Sequence, residues 1–227
     1  MTLYLSKIRI SDSPSVQALA ALLSPSEPGM RTTTHHKLLW AAFSDGPDRT
    51  RDFLWREEGQ GVFLTLSERA PLPMDLFAPH DSKIFAPALS MGDKLRFALR
   101  ANATRTKRGK EGQGGVRVDV VMDALHGVPQ ADRAAARMPL AQQEGAAWLA
   151  RQGEAAGFRL LETVVEDYTT QVLEGYRGKR KGQPQFGILE MSGVLEITEP
   201  EAFLAQLARG FGRAKAFGCG LMLVRRA

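Results

Sequence analysis

A glycine-rich loop between Gly210 and Gly220 is the stretch that most restricts how this chain can fold. Glycines allow sharp turns and close backbone approach, and free N–H groups beside cations suit a phosphate backbone. The loop follows a helix pattern and precedes a strand-like run, whereas the familiar nucleotide loops run from strand to helix. This order argues against a dinucleotide or P-loop fold, and a tight structural turn is the alternative. Its glycines and cations are Gly210, Gly212, Gly218, Gly220, Arg213 and Lys215.

The first 88 residues follow a regular order of strand and helix patterns. A strand opens the chain, a helix pattern covers His35 to Phe43, and Glu58 to Gly61 joins two apolar strands as a hairpin. A weak helix near Leu76 and a strand at Lys83 to Phe85 come next. Strand, helix, hairpin, helix, strand is the β-α-β-β-α-β order of a ferredoxin-like unit.

The rest of the chain repeats this order of elements. The expected elements are a strand at 95–102, a flexible basic loop up to Gly115, a helix at 139–156, two long strands, a helix from Pro200 and a final strand after Gly220. The sequence therefore predicts an α+β protein with two tandem ferredoxin-like domains, residues 1–88 and 93–227.

The bulk composition narrows the class of protein. Hydrophobic residues make up 44% and charged residues 24%, which is typical of a globular protein, and no apolar run approaches the roughly 18 residues of a membrane helix. The first ten residues alternate like a strand and do not resemble a signal peptide. A single cysteine, Cys219, excludes an internal disulfide and fits a reducing cytoplasm. Without a Cys/His cluster at ligand spacing, we expect no zinc site and no cofactor.

Positive charge is concentrated in the middle of the chain. Between Lys94 and Arg117 eight basic residues accompany one acidic residue, a net charge of +7 on a chain whose total is +5. Such a segment is typical of a protein that binds a polyanion, although a solvated loop is the alternative. Sheets of this topology with basic loops commonly bind RNA, here through phosphate contacts because aromatic residues are sparse. With a second cationic stretch, the RNA-binding candidates are Arg100, Arg105, Lys107, Arg108, Lys110, Arg177, Lys179, Arg180 and Lys181.

Two adjacent histidines occupy different positions on the helix pattern. At about 100° per residue, His35 falls near the centre of the apolar stripe and His36 at its edge. We therefore expect His35 to be a core or capping residue. His36 can face a groove while packing holds it, and Lys37 lies beside it on the polar side. A purely structural role for His36 is the alternative.

RNA supplies its own nucleophile, the 2′-hydroxyl next to each phosphate. Cleavage then needs a base for that proton, an acid for the leaving 5′-oxygen and cations for the developing negative charge. One histidine with Lys or Arg could provide much of this without a metal. The nearest carboxylate pair, Glu166 and Asp167, would point to opposite faces of a strand, so we expect no two-metal site.

Several segments of the sequence resemble the CRISPR-associated endoribonuclease subunit of the type I-E Cascade complex, the CasE family. The matching segments follow the family order from the first strand to the last and cover nearly the whole chain. They are residues 4–7, 36–40, 51–54, 95–102 and 210–221.

This resemblance implies a positively charged groove that grips the repeat stem-loop of the CRISPR precursor RNA. It also implies metal-independent cleavage at the base of the stem, a 2′,3′-cyclic phosphate product, and retention on the mature guide RNA with the other Cascade subunits. The catalytic histidine of the family corresponds to His36, and Lys37, Arg213 and Lys215 would hold or neutralise phosphates.

The sequence departs from the family pattern in two places. Some members have a second catalytic group, a tyrosine, a few residues before the histidine, where this chain has Thr32 to Thr34. The Asn-Pro of the family reads Asn102-Ala103 here. The missing tyrosine motivates a second hypothesis, a non-catalytic RNA-holding subunit. A third, an enzyme acting on a phosphorylated small molecule, would rest on the glycine loop alone.

Overall fold

The computed structural model describes residues 2–46, 48–108, 114–173 and 185–227. Two four-stranded antiparallel sheets and six helices build most of the described chain. None of these helices is long and apolar enough to cross a membrane.

The first sheet has the strand order of a ferredoxin-like fold, β2-β3-β1-β4, and every neighbouring pair is antiparallel. Helix α3 covers one face, where Ile8, Leu39 and Phe63 are fully buried. The elements are β1 (Tyr4–Arg9), α1 (Pro14–Gln17), α2 (Ala20–Leu23), α3 (Pro28–Phe43), β2 (Phe53–Gly59), β3 (Val62–Ser67) and β4 (Asp81–Ile84).

Two expectations for this part of the chain were wrong. Helix α3 begins at Pro28 rather than near His35, because proline is favoured in a first helical turn and the Thr32 and Thr33 hydroxyls donate to helix carbonyls. Residues 68–80, all of which the structure describes, contain no helix near Leu76. Phe77 fills the core at that position instead.

The second sheet has the matching order, β10-β5-β9-β8. Helices α5 and α6 cover one face, and their contact with the sheet buries Leu149, Phe203 and Leu195 completely. The elements are β5 (Lys94–Ala101), β6 (Thr104–Lys107), β7 (Val116–Asp119), α4 (Val120–His126), α5 (Arg133–Ala156), β8 (Phe158–Val172), β9 (Gln185–Ile197), α6 (Pro200–Arg209) and β10 (Met222–Arg226).

The basic stretch after β5 is more ordered than the sequence predicts. Strands β6 and β7 pair as an antiparallel hairpin, and α4 follows directly with Asp119 as its N-cap. Helix α5 starts at Arg133, six residues before Pro139, which lies inside the helix. Within the loop that the sequence predicts up to Gly115, Thr104–Lys107 form a strand, while residues 109–113 lie outside the described parts of the chain. Strands β6 and β7 and helix α4 lie between the first strand and the first long helix of this unit.

The faces of the two sheets that carry no helix lie towards each other. Leu54 and Leu66 from the first sheet pack with Leu221, which precedes β10. Glu190 on β9 pairs with Arg100 of its own sheet and lies 3.7 Å from the guanidinium of Arg56 on β2. The tandem ferredoxin-like architecture is thus confirmed, and residues 1–88 and 93–227 remain our predicted domain limits.

Candidate active site and nucleic-acid interface

The two histidines of α3 differ in their surroundings as the helix pattern predicts. His35 is fully buried, with Nε2 3.1 Å from Ser24 Oγ and Nδ1 3.3 Å from a carboxylate oxygen of Glu57. His36 is only half-buried, and its Nε2 has no hydrogen-bond partner among the described residues. His35 therefore anchors the helix, whereas the Nε2 of His36 is shielded from solvent and makes no hydrogen bond within the described parts of the chain.

Aromatic rings fix the position of His36. Its imidazole centroid lies 6.1 Å from the ring of Trp40, one helical turn away, and 6.2 Å from the ring of Phe217 in the glycine-rich loop. Phe217 in turn lies 5.6 Å from Phe186 near the start of β9. His36 thus stands where the helix of the first unit meets two segments of the second.

The glycine-rich loop is held against the first sheet by its backbone. Residues Lys215–Phe217 form one 3₁₀ turn, and the Trp55 indole N–H donates to the Ala216 carbonyl at 3.3 Å. The buried Asn102 supports the start of the loop, since its carbonyl accepts from the Arg213 amide at 3.0 Å. The four glycines of the loop all adopt positive φ angles, so the predicted tight turn is real.

Four cations surround the loop, and we call them the cation cluster: Arg51, Arg209, Arg213 and Lys215. None forms a salt bridge with a carboxylate among the described residues. Arg51 is half-buried, and burial lowers the pKa of its guanidinium. Cations that have no carboxylate partner in the described parts of the chain, two of them half-buried, are a ready site for an anion such as a phosphate.

The cation cluster also changes the acidity of its neighbours. Burial, and then the charge of Arg51, lowers the pKa of His36 below its ordinary value. Burial lowers the pKa of Lys215 as well, and Arg51, Arg213 and Arg209 add to that effect. The arrangement therefore favours a neutral imidazole at His36 and makes the Lys215 ammonium a stronger acid than an exposed lysine.

A model of the family described as "CRISPR associated protein" matches residues 3–226. The CRISPR-associated endoribonuclease Cse3 of Thermus thermophilus is 34% identical over 214 residues, which cover 83% of this chain and 87% of the relative.

The chain belongs to the CRISPR-associated protein family.

Two further comparisons agree with this assignment. The CRISPR system Cascade subunit CasE of Escherichia coli is 28% identical over 82% of this chain and 88% of the relative. A solved structure of CRISPR endoribonuclease Cse3 bound to 19 nt RNA superposes with a TM-score of 0.66 and 29% identity, covering 99% of this chain and 98% of that one. The resemblance to the CasE family in the sequence is confirmed.

Several of the predicted RNA-binding cations are engaged within this CRISPR-associated protein. Arg100 pairs with Glu190, and Arg105 and Lys107 both pair with Asp123, whose side chain is 6% exposed. These contacts raise the pKa of Arg105 and lower the pKa of Asp123. The pairs hold the β6–β7 hairpin against α4, so those cations have a structural task besides any contact with RNA.

The other predicted cations divide into exposed and undescribed ones. Lys37, Arg108 and Arg213 are exposed, and Lys215 is half-buried. The residues outside the described parts are Lys110, Arg177, Lys179, Arg180 and Lys181. Within the described parts, no group of three or more His, Cys, Asp or Glu residues could hold a metal ion.

Sequence reasoning missed Arg51 and Arg209 as members of the site. Arg51 was noted only as part of a family-like segment, and Arg209 only as the end of a helix pattern. Arg51 follows His36 by 15 residues and Arg209 follows it by 173, and the folded structure brings both arginines near Lys215. Within the described residues neither arginine pairs with a carboxylate, and this property depends on the fold and not on the local sequence.

Proposed function

We propose that this protein is an endoribonuclease that binds CRISPR precursor RNA and cleaves it at the base of the repeat stem-loop. The single observation that carries the proposal is the half-buried His36, whose solvent-shielded Nε2 has no hydrogen-bond partner among the described residues and whose pKa is lowered by burial and by Arg51. The same Arg51 also lowers the pKa of Lys215. The relatives named endoribonuclease Cse3 and Cascade subunit CasE support this substrate and reaction.

In this proposal His36 acts as the general base. A histidine with a lowered pKa is largely neutral near pH 7 and can accept the 2′-hydroxyl proton of the nucleotide before the cleavage site. The activated 2′-oxygen attacks the adjacent phosphorus, and the products are a 2′,3′-cyclic phosphate and a 5′-hydroxyl. Since the nucleophile belongs to the substrate, the reaction as proposed needs no metal ion.

Cations near the phosphate would stabilise the extra negative charge of the transition state. Arg51 and Lys215 would serve this purpose, because Arg51 acts on the pKa of both His36 and Lys215 and neither cation is paired with a carboxylate in the described parts of the chain. Lys37, Arg213 and Arg108 are exposed and would contact the backbone of the stem. Such preorganised charges stabilise a transition state most strongly where water is excluded.

The cleaved repeat would remain bound, as the name of the CasE relative suggests for a Cascade subunit. We propose that the mature guide RNA and the other Cascade subunits are the lasting partners of this protein, and that it works in the cytoplasm. The buried and reduced Cys219, whose pKa burial raises to about 12, takes no part in this chemistry.

One observation favours the second candidate function, an RNA-holding subunit without cleavage. The hydroxyls of Thr32 and Thr33, which stand in the region of the family tyrosine, donate to the carbonyls of Pro28 and Gly29 at 3.0 Å. They are therefore poorly placed to act on a substrate. Under this alternative the cation cluster would grip RNA without a proton donor for the leaving group.

Incubation of the purified protein with its cognate repeat RNA distinguishes the two functions. We expect cleavage at one site in the presence of EDTA, and a downstream product with a 5′-hydroxyl. The upstream product should resist 3′-end labelling until the cyclic phosphate is removed. Tight binding without any cleavage would support the holding subunit, and a strict Mg²⁺ requirement would contradict the metal-independent reaction.

A further inference from the structure

Lys215 occupies a rigid turn. It begins the 3₁₀ turn Lys215–Phe217, and residues with left-handed backbone flank this turn, Ala214 at φ 52° and Gly218 at φ 77°. The Trp55 indole holds the Ala216 carbonyl at 3.3 Å. The position of the Lys215 backbone relative to the first sheet is thus set by contacts on both sides.

The same turn carries the residue that touches the catalytic histidine. Phe217 lies 6.2 Å, centroid to centroid, from the His36 imidazole. Lys215 precedes Phe217 by two residues, and a 3₁₀ helix rises about 2 Å per residue, so the two backbone positions are about 4 Å apart along the turn. Arg51 acts on the pKa of both His36 and Lys215, so the two side chains share one guanidinium as a neighbour.

The aliphatic part of the Lys215 side chain is packed, and the charged groups that shift the pKa of its ammonium group are all arginines. Its Cγ lies 3.2 Å from the position that a Cβ on Gly220 would occupy, which places the stem against the loop backbone. The charged groups that act on it are Arg51 before β2, Arg209 at the end of α6 and Arg213 in the loop. No carboxylate in the described parts of the chain forms a salt bridge with its ammonium group.

We propose that Lys215 is the general acid of the cleavage reaction and donates a proton from Nζ to the departing 5′-oxygen. This inference rests on the proposed function. The 2′-oxygen forms a bond to phosphorus while the bond from phosphorus to the 5′-oxygen breaks. His36 takes the proton of the 2′-hydroxyl, and the Lys215 proton completes the 5′-hydroxyl of the downstream product. Proton exchange with water then returns His36 to its neutral form and Lys215 to its protonated form.

Lys215 fits this role better than the other polar groups nearby. Guanidinium groups such as that of Arg51 hold their protons too strongly to serve as acids. The Thr32 and Thr33 hydroxyls are engaged with helix carbonyls. Burial and the nearby arginines, by contrast, lower the pKa of the Lys215 ammonium group, so it releases its proton more readily. A lysine of the second unit would thereby replace the tyrosine that some CasE-family members carry on the first helix.

A substrate with a better leaving group tests the assignment. In a repeat RNA whose scissile 5′-oxygen is replaced by sulfur, the departing thiolate needs no proton. We expect Lys215→Arg to slow single-turnover cleavage of the ordinary RNA by about 10²–10⁴-fold. The same variant should cleave the sulfur-containing RNA within a few-fold of the wild type, because its charge is kept and its missing proton is no longer needed.

Two matched variants make the result specific. Lys83→Arg, an exchange of the same type at an exposed position on β4, should leave both rates unchanged. His36→Ala should be slow on both RNAs, since the sulfur does not replace the base. Melting temperature and RNA affinity of Lys215→Arg are measured alongside, and we expect both to match the wild type.

Each outcome supports or overturns the assignment of Lys215 as the general acid. Wild-type cleavage of ordinary RNA by Lys215→Arg would overturn the inference, and so would equal slowing on both RNAs, which indicates phosphate holding or a structural role. If the wild-type protein cleaves neither RNA, the proposed function itself fails and the assignment fails with it. Selective rescue by sulfur is the result that the assignment predicts.

Discussion

The Nδ1 atom of His35 lies 3.3 Å from a carboxylate oxygen of Glu57, beneath the helix that presents His36 to the cation cluster. His35 is completely buried, while the Glu57 side chain is 21% exposed. The contact joins α3 to β2 and the Ser24 hydroxyl closes the other side of the ring. The position of His36 thus depends on its neighbour in the sequence.

Replacing Glu57 with glutamine should weaken this anchor. The contact with His35 is the main cause that lowers the pKa of Glu57. A carboxyl group with a lowered folded-state pKa stabilises the protein above its unfolded pKa, and this stabilisation is lost as the pH falls through the folded pKa. We expect Glu57→Gln to lower the free energy of unfolding by about 1–3 kcal/mol at pH 7, and by less below pH ~4.

Urea denaturation at a series of pH values measures the effect of Glu57→Gln. The control is Glu58→Gln, at the next residue, where the carboxylate pairs with Arg56 at 2.9 Å and is 38% exposed. We expect that control to stay within about 0.5 kcal/mol of the wild type. Equal effects of the two substitutions would show that the His35 contact contributes no special stability.

Removing the charge of Arg51 should raise the pKa of His36. Arg51 is the second cause, after burial, of the lowered His36 pKa, so Arg51→Ala relieves part of the shift. The low-pH decline of the cleavage rate should move to higher pH, because protonation of a base stops the reaction. An NMR titration of the imidazole measures this directly, with the exposed Arg159, which pairs with Glu196, as the control substitution. An unchanged His36 pKa in Arg51→Ala would contradict the proposed neighbourhood.

A methyl group at Gly212 should disturb the glycine-rich loop through a clash with backbone. A Cβ at this position would lie 2.6 Å from the Asn102 carbonyl oxygen, and φ is +69°. Gly92 has a similar φ of +87° but nothing within 4 Å, so Gly92→Ala measures the backbone strain alone. We expect each substitution to cost about 1–2 kcal/mol from strain, and Gly212→Ala about 1–3 kcal/mol more. Equal losses in chemical denaturation would show that the loop can move away from Asn102.

The sequence patterns predicted the order of elements and the contrast between the two histidines because both depend on local periodicity. An apolar stripe with period 3.6 places His35 inside whatever covers the helix. The tight turns of the glycine-rich loop could be predicted as well, because left-handed backbone is a local property that glycine adopts readily. The predicted start of α3 was wrong because Thr32, Thr33 and Thr34 have low helix propensity. The hydrogen bonds of Thr32 and Thr33 to the Pro28 and Gly29 carbonyls form only in the folded helix.

The β6–β7 hairpin and the cation cluster could not be predicted in the same way. Strand β6 carries Arg105 and Lys107, which pair with Asp123 on the following helix. Arg51 acts on Lys215, which lies 164 positions later in the chain. Burial where the two units meet lowers the pKa of both side chains. Such features depend on contacts between segments that are distant in the sequence, so a local sequence pattern cannot predict them.

Cleavage of the cognate repeat hairpin by His36→Ala tests the central claim most directly. Single-turnover rates and RNA affinity are measured for the wild type, for His36→Ala and for His80→Ala, a control histidine whose Nε2 lies 3.0 Å from the Leu72 carbonyl. We expect His36→Ala to lose cleavage by about 10²–10⁴-fold or more while its Kd stays within a few-fold of the wild type. Cleavage by His36→Ala at the wild-type rate would contradict the account.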